Sequence, residues 1–256
     1  DHPLQVEQLA RAAAAARAEV DVYVELDVGQ GRCGVADAAE ALALAMLVRA
    51  QPRLRFAGLQ AYHGRAQHLR EPAEREQAIA QAQTMIAERL KEFAAAGIAV
   101  RRITGAGTGT YLHEAASGVW NELQPGSYIF MDADYHRNKL EPGAPRFRHS
   151  LYVLSTVISA AGGRLILDAG LKAFSVDSGL PQAPDAPGWQ FAKASDEHGV
   201  LIPASAAPAL PIPVGTKLRL IPGHCDPTVN LHEWFVGVRG GVVEALWPIT
   251  ARGAFF

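Results

Sequence analysis

Cysteine is almost absent from this sequence, which contains only Cys33 and Cys225 among its 256 residues. Two cysteines provide no disulfide framework, so the disulfide-stapled scaffolds of small secreted proteins are excluded. We therefore expect a protein that folds around its own hydrophobic core in a reducing cytoplasm. A hydrophobic content of 49% over this length is enough for one large domain or two smaller ones.

Long hydrophobic runs and a strong excess of one charge are also missing. No apolar run approaches the ~18–20 residues that a membrane-spanning helix requires. The formal net charge is −2, and the basic residues are scattered rather than clustered. Neither a nucleic-acid partner nor a membrane partner is therefore expected. The N-terminal stretch, residues 1–17, has the pattern of neither a signal peptide nor a transit peptide.

The first half of the chain alternates strand and helix patterns up to about residue 130. Helices are predicted at 4–18, 37–50 and 73–96, and strands at 20–28, 55–64, 99–107 and 118–127. Such alternation favours a parallel α/β arrangement. Only about four β/α steps fit here, whereas a closed (β/α)8 barrel needs eight and ~250 residues. The segment therefore resembles the second half of a barrel or a small open sheet.

Beyond about residue 148 the pattern changes to strands without helices between them. Strands are predicted at 151–159, 163–170, 216–223 and 233–250. The last run contains an Arg-Gly-Gly turn at 239–241, which indicates a hairpin. We predict two domains: residues 1–140 form a partial (β/α) barrel, and residues 141–256 form a C-terminal β-strand domain.

Two glycine-bearing loops follow consecutive strands of the predicted barrel. The sequence TGAGTGT (104–110) offers backbone N–H groups unobstructed by side chains, a plausible cradle for a phosphate. It is not a dinucleotide fingerprint, because Thr110 stands where the third glycine would fall. QPGSY (124–128) follows the next strand, and both loops would open on the ligand-binding face of a barrel. An ordinary turn is the alternative for either loop.

Histidine and arginine side chains follow the two preceding strands. AYHGRAQH (61–68) brings Tyr62, His63 and His68 to the same predicted face, where one histidine could act as a general base. Arg32 follows the first strand. A histidine in such a place is also compatible with a purely structural role.

The stretch PGHCDPTVNLH (222–232) is the candidate metal site. His224 and Asp226 are two residues apart, so in an extended segment they would point the same way and Cys225 would point opposite. An imidazole nitrogen and a carboxylate oxygen are suitable ligands for Mn²⁺, Mg²⁺ or Zn²⁺, and these ligand types do not discriminate among the three ions. A His–Asp hydrogen bond at a turn is the alternative.

The order of these pieces resembles one family over nearly the whole chain. Its members are the D-threonine aldolases and 3-hydroxy-D-aspartate aldolases, which are alanine racemase-type pyridoxal-phosphate enzymes with a barrel followed by a β domain. The stretches that carry the resemblance are DVGQGRCGV, GLQAYHGRAQH, TGAGTGT, ELQPGSYIFMDADY, LDAGLK, DEHG, PGHCDPTVNLH and WPITARG.

The resemblance implies a role for each candidate residue. Those that would hold pyridoxal 5'-phosphate are Gly107, Thr108, Gly126 and Ser127 at the phosphate, Tyr62 against the ring, and Arg32 near the ring nitrogen. His68 would take the proton from the substrate's β-hydroxyl, and His224 with Asp226 would hold a divalent metal (Mn²⁺, Mg²⁺ or Zn²⁺) on that hydroxyl. The implied reaction is retro-aldol cleavage of a D-3-hydroxy amino acid to glycine and an aldehyde. The implied assembly is a homodimer.

One residue separates this reaction from a related one. The D-serine dehydratases of the same fold bind zinc through His-x-Cys, whereas here Asp226 occupies the third position. A carboxylate favours harder ions than a thiolate does, which favours aldol cleavage over dehydration. A non-catalytic pyridoxal-phosphate carrier and a cofactor-free metal hydrolase using His224, Asp226 and His68 are the alternatives from other classes.

Lysine is also scarce, and this departs from the family pattern. The family carries its Schiff-base lysine early in the barrel, in a stretch resembling R-P-H-x-K, and nothing similar is found here. The five lysines are Lys91, Lys139, Lys172, Lys193 and Lys217. Together with the half-barrel count, this predicts that the N-terminal part of the enzyme precedes this sequence. A second substrate carboxylate, as in 3-hydroxy-D-aspartate, would need a cation such as Arg65 or Arg137.

Overall fold

The computed structural model describes residues 1–206 and 209–254, which form two compact units. The N-terminal unit comprises residues 1–126 and 138–145, and the C-terminal unit comprises residues 127–137 and those from 146 onward. Each unit takes a short segment from the stretch around the predicted domain join. The boundary at residue 140 itself stays a prediction.

The N-terminal unit is built on a four-stranded parallel sheet of order β1-β2-β3-β4. Its strands are β1 (Val20–Glu25), β2 (Leu54–Gln60), β3 (Arg102–Gly105) and β4 (Glu122–Leu123). Its helices are α1 (Pro3–Ala16), α2 (Ala38–Arg49), α3 (Pro72–Ala95) and α4 (Tyr111–Ala116), with a 3-10 helix at Gly64–His68. Since strands adjacent in the sheet are consecutive in the chain, the last three α-helices are crossover connections between parallel strands.

Local sequence explains where these helices begin and end. Before α2, the Asp37 carboxylate accepts the N–H groups of Ala39 and Glu40 at 2.8 and 3.1 Å, which satisfies two otherwise unpaired helix donors. After α3, Gly97 adopts a φ of 69°, the left-handed conformation that ends helices at low cost. These features are local, which is why the sequence predicted both helices well.

The core of the N-terminal unit lies between its helices and the sheet. The apolar side chains that α2 and α3 bury are spaced at three, four and seven residues, as one face of a helix requires. They are Ala41, Leu44, Ala45 and Val48 on α2, and Ile79, Ala82, Ile86 and Phe93 on α3. They pack with strand residues such as Leu59 and Ile103. This packing fixes the sheet whose strand ends carry the candidate residues.

The C-terminal unit is formed mainly by antiparallel strands. A five-stranded sheet has the order β7-β8-β6-β5-β9, and β10 and β11 form a separate hairpin. The strands are β5 (Val153–Ser159), β6 (Leu165–Leu167), β7 (Trp189–Ala194), β8 (Gly199–Pro203), β9 (Lys217–Leu220), β10 (Trp234–Arg239) and β11 (Val242–Pro248). Two short helices, α5 (Ala133–His136) and α6 (Cys225–Val229), and a 3-10 turn at Ser127–Ile129 complete the unit.

The predicted class, an α/β half followed by a β half, is confirmed by these sheets. The hairpin predicted at 239–241 is present, with Arg239 paired to Val242. Strands β7 and β8 were missed because their sequences, WQFAKA and GVLIP, lack a clear alternation. Within the described residues, no helix is both long and apolar enough to cross a membrane.

Candidate functional site

The candidate cofactor residues of the N-terminal unit follow the carboxyl ends of the parallel strands. Arg32 lies in the loop after β1, Tyr62 and His63 follow β2, Gly107 follows β3, and Gly126 follows β4. In parallel α/β folds these strand ends share one edge, where ligands bind. The sheet topology therefore brings the predicted residues of this unit to a single edge.

Arg32 and Tyr62 are brought into direct contact by this arrangement. The Arg32 Cζ atom lies 5.6 Å from the centroid of the Tyr62 ring, a cation–π distance. The same guanidinium lies 3.6 Å from a carboxylate oxygen of Glu25. Two residues from neighbouring loops thus form one aromatic and cationic surface.

The two histidines of the loop after β2 differ in environment. His68 ends the 3-10 helix at Gly64–His68 and is exposed. His63 is half-buried, and desolvation lowers its pKa. The charge of Asp27 acts against this shift, whereas the charge of Arg65 adds to it. Its Nδ1 atom is buried with no hydrogen-bond partner among the described residues. The family resemblance implies that His68 takes the proton, and that role stays a prediction.

The glycine-rich turn after β3 has an unusual backbone. Ala106 adopts a φ of 67°, which is unfavourable for a residue with a Cβ and is typical of functional sites where the surroundings enforce it. Further along the turn, the N–H groups of Thr110 and Tyr111 donate to the Gly107 carbonyl at 3.3 and 3.1 Å. These internal bonds restrict the candidate phosphate contacts to the start of the turn, where Gly107 and Thr108 lie.

Gln67 holds this turn from behind. It is completely buried, its Oε1 accepts the Gly109 N–H at 3.0 Å, and its Nε2 donates to Thr110 Oγ1 at 2.7 Å. A Cβ added at Gly107 would lie 2.5 Å from Gln67 Oε1. Gly107 is therefore required by packing against Gln67, whatever ligand the turn binds. Gln67 was not predicted from the sequence, because it belongs to no motif.

Glu114 on α4 extends the same network. Thr110 Oγ1 donates to Glu114 Oε1 at 2.7 Å, while Glu114 Oε2 is buried with no partner among the described residues. Desolvation raises the pKa of this carboxyl to about 7, although the hydrogen bond from Thr110 opposes the shift. The chain Gln67–Thr110–Glu114 thus ends in a group that titrates near neutral pH.

Gly126 and Ser127 lie in different surroundings from the first turn. A Cβ added at Gly126 would meet nothing within 4 Å, so this glycine leaves open space beside the backbone. Ser127 belongs to the C-terminal unit, where its side chain hydrogen-bonds to the Cys225 thiol. The open glycine fits close approach of a ligand group, and the role of Ser127 in phosphate binding stays a prediction.

His224 and Asp226 are brought together, but not by an extended segment. His224 has extended dihedrals (φ −141°, ψ 125°), whereas Asp226 lies in the first turn of α6. The expected strand-like alternation is therefore wrong, because Cys225 already begins the helix. His224 Nε2 and Asp226 Oδ2 are nevertheless 3.8 Å apart. Cys225 is fully buried, and its thiol donates to Asp226 Oδ1 at 3.4 Å. Desolvation raises the pKa of the Cys225 thiol, which disfavours a thiolate ligand.

A third side chain, Asp177, contacts the other nitrogen of the same ring. Its Oδ2 lies 2.7 Å from His224 Nδ1. Desolvation raises the pKa of Asp177, but hydrogen bonds from Ser175 and His224 outweigh it and lower that pKa to about 2. Asp177 is therefore ionised at neutral pH. Among the described parts of the chain, no three His, Cys, Asp or Glu side chains converge on one point as a complete metal-binding group.

A buried carboxylate supports the start of α6. Asp132 is fully buried and accepts the Cys225 N–H at 3.0 Å and the Tyr135 N–H at 2.9 Å. The residue before it, Met131, has a φ of 52°. Met131 is therefore, like Ala106, a non-glycine residue with a positive φ beside candidate residues.

The two arginines considered for a second substrate carboxylate differ. Arg137 forms an ion pair with Asp134 and donates to the Ser178 carbonyl at 2.7 Å, so it is already engaged within the C-terminal unit. Arg65 is exposed beside His63. Arg65 therefore fits the role better than Arg137.

Both units match known families. Residues 1–134 match the family described as "Alanine racemase, N-terminal domain". Residues 150–238 match the family described as "Putative serine dehydratase domain".

Curated relatives are named as aldolases. The chain is 49% identical over 224 residues to D-threonine aldolase of an Arthrobacter species, covering 86% of this chain and 58% of the relative. It is 42% identical over 228 residues to 3-hydroxy-D-aspartate aldolase of Paracoccus denitrificans, covering 86% and 57%. The chain thus spans a little over half the length of these relatives.

A solved structure shares the whole fold of the chain. The crystal structure of D-threonine aldolase from Filomicrobium marinum superposes with a TM-score of 0.95 at 44% identity, covering 100% of this chain and 70% of that one. The resemblance and the barrel-plus-β-domain class inferred from the sequence are confirmed by these matches.

Proposed function

The chain belongs to the alanine racemase N-terminal domain family, and from that premise we propose that the protein is an aldehyde-lyase dependent on pyridoxal phosphate and a divalent metal. It would cleave a D-3-hydroxy amino acid, D-threonine or 3-hydroxy-D-aspartate, to glycine and an aldehyde. The similarity to enzymes named as aldolases supports the reaction class. The observation that carries the metal part of the proposal is the pair of His224 Nε2 and Asp226 Oδ2, 3.8 Å apart.

The residues of the glycine turn fit the cofactor that the family implies. We assign the phosphate to Gly107 and Thr108 at the enforced turn, to Gly126 with its open side, and to Ser127. Tyr62 would lie against the pyridine ring, with Arg32 beside it. When bound, pyridoxal phosphate supplies an electron sink for the bond that breaks. The chain's own contribution is to fix the phosphate and the ring so that this bond has the required orientation.

The His224–Asp226 pair also fits a divalent metal. Metal bonds to imidazole nitrogen and carboxylate oxygen are both about 2.1 Å, so one ion can span an N···O separation of up to about 4.2 Å. The observed 3.8 Å lies within that reach. A nitrogen and a carboxylate oxygen suit Mn²⁺, Mg²⁺ or Zn²⁺. The metal would lower the pKa of a bound substrate hydroxyl.

His68 is the residue that we assign to proton transfer. His68 is exposed at the end of its 3-10 helix, so its imidazole can reach and accept the proton of the substrate's β-hydroxyl. Glycine forms once the remaining carbon is protonated. His63, whose lowered pKa keeps it neutral, is the residue of this loop that could replace His68 in the role.

A dehydratase of the same fold, which would release a keto acid and ammonia, is the second candidate. The match of residues 150–238 to a putative serine dehydratase domain favours it. Against it stands the carboxylate of Asp226, exposed and 3.8 Å from His224, in place of the softer thiolate of a zinc site. The buried Cys225 does not supply that thiolate.

Location and assembly complete the proposal. Two free cysteines, Cys33 exposed and Cys225 buried, support a cytoplasmic enzyme. We also propose a homodimer. The apolar side chains of the β10–β11 hairpin, including Trp234, Val236 and Trp247, are more than half exposed, which is typical of an interaction surface.

Product analysis tests the reaction. The full-length protein, loaded with pyridoxal phosphate and Mn²⁺, is incubated separately with D-threonine and 3-hydroxy-D-aspartate. Glycine and aldehyde in equal amounts are expected from at least one substrate. Ammonia and keto acid would identify a dehydratase instead, and a lack of turnover with both substrates would overturn the enzyme proposal. Arg65→Ala tests which cation binds the second carboxylate of 3-hydroxy-D-aspartate. If Arg65 binds it, the rate with 3-hydroxy-D-aspartate should fall in this variant while the rate with D-threonine is unaffected.

A further inference from the structure

We propose that Asp177 is a positioning residue of the candidate metal site, which orients His224 so that its Nε2 atom faces the cation. The inference rests on the proposed function, since it concerns the ion that His224 and Asp226 would hold. Asp177 lies 47 residues before His224 in the chain and belongs to no motif recognised in the sequence.

The hydrogen bond between the two side chains determines which ring nitrogen is available. A carboxylate oxygen accepts hydrogen bonds, so the 2.7 Å contact places the hydrogen on His224 Nδ1, which donates it to Asp177 Oδ2. In a neutral imidazole the other nitrogen, Nε2, then holds the lone pair. That atom is the one that lies 3.8 Å from Asp226. A carboxylate behind a metal-ligating histidine also raises the basicity of the ligand.

Asp177 is itself held in place by its neighbours. Ser175 Oγ donates to its Oδ1 at 2.7 Å, and Ser178 Oγ donates to its Oδ2 at 3.0 Å. The loop that carries these residues is attached to α6 through Thr228, whose Oγ1 accepts the Ser175 N–H at 3.1 Å and donates to the His224 carbonyl at 2.7 Å. The carboxylate and the ring that it orients therefore share one rigid support.

Asp177 does not fit the alternative role of a third metal ligand. The two nitrogens of an imidazole ring point in different directions, and Asp177 contacts Nδ1 while Asp226 faces Nε2. One ion bound at Nε2 therefore lies on the side of the ring away from the Nδ1 contact.

Metal affinity without substrate tests the proposal. Free Mn²⁺ is measured by electron paramagnetic resonance during titration of the metal-depleted full-length protein and of Asp177→Leu and Asp177→Asn. We expect Asp177→Leu to weaken Mn²⁺ binding about 10–100-fold, the range for residues that support metal ligands. Asp177→Asn is expected to lose less, because its amide oxygen can still accept the Nδ1 hydrogen.

Asp185→Asn is the matched control. Asp185 is another partly exposed carboxylate of the C-terminal unit, but it pairs with Arg219 rather than with His224. Its substitution should leave Mn²⁺ affinity within about twofold, and the two Asp177 variants should unfold at the same urea concentration as this control. Mn²⁺ affinity unchanged in Asp177→Leu, or equally weak in the Asn and Leu variants, would overturn the positioning role.

Asp226→Ala separates failure of this inference from failure of the proposed function. If Asp226→Ala binds Mn²⁺ as tightly as the wild type, the metal site itself is misassigned. If Asp226→Ala loses binding while Asp177→Leu keeps it, only the role of Asp177 is refuted.

Discussion

The polar groups behind the glycine turn are buried, whereas the candidate metal ligands reach solvent. In the N-terminal unit, Gln67 and Glu114 are no more than 1% exposed and bond to the turn through Thr110. In the C-terminal unit, the side chains of His224 and Asp226 are 25% and 71% exposed. Burial makes a polar group expensive to disturb, and exposure leaves it free to exchange water for a ligand.

The two regions should therefore respond differently to substitution. Changes behind the glycine turn are expected to alter stability together with cofactor binding. Changes at the metal pair are expected to alter activity and leave stability almost unchanged.

Asp226→Ala should give the largest effect and affect activity alone. Loss of a metal that stabilises transition-state charge by several kcal/mol lowers the rate on the order of 10³-fold. Because the side chain is 71% exposed, the free energy of unfolding should stay within about 0.5 kcal/mol of wild type. Glycine release and urea unfolding measure the two quantities. Loss of stability together with activity in this variant would contradict the expected difference between the two regions.

Glu114→Gln should make stability less dependent on pH. The pKa of Glu114 is about 7 in the folded protein and 4.5 is its ordinary value, so the folded state binds more protons between these values. The stability of the wild type therefore falls as pH rises through this window, by about 2–3 kcal/mol between pH 5 and 8. The variant keeps an acceptor for Thr110 but does not titrate.

Urea unfolding of both proteins at pH 5 and pH 8 measures this difference. Between pH 5 and pH 8, the free energy of unfolding of the variant should rise relative to that of the wild type by about 2–3 kcal/mol. An equal change in the two proteins would show that Glu114 does not ionise in this window.

Gly107→Ala and Gly126→Ala should separate packing from ligand approach. A Cβ at Gly107 would lie 2.5 Å from Gln67 Oε1, which is expected to cost about 1–3 kcal/mol of stability. A Cβ at Gly126 would meet nothing within 4 Å, so stability should be unchanged. If Gly126 lies against the phosphate, affinity for pyridoxal phosphate should fall roughly tenfold, about 1.4 kcal/mol. Cofactor affinity unchanged in Gly126→Ala would remove this residue from the site.

Motif-bearing residues were predictable from sequence because their signals are local. The alternation of β1 to β4 with helices, the helix end at Gly97 and the glycine turn each depend on a few consecutive residues. His224 and Asp226 were found for the same reason, although the short helix α6 was not, since its five residues carry no periodicity.

The supporting residues could not be predicted because they act across the chain. Gln67 reaches Thr110 over 43 residues, and Asp177 reaches His224 over 47. Neither spacing follows from hydrophobic pattern or turn chemistry, and both depend on how loops from different strands converge. The buried Glu114 was missed because a glutamate on a short helix is usually solvated.

The need for a divalent metal can be measured directly as metal-dependent glycine release. The full-length enzyme is depleted of metal with a chelator, and glycine release from D-threonine and 3-hydroxy-D-aspartate is followed while Mn²⁺ is added back. We expect activity to be lost on depletion and to return with saturable dependence on Mn²⁺. Glycine release that continues at the same rate in the depleted enzyme would contradict this expectation.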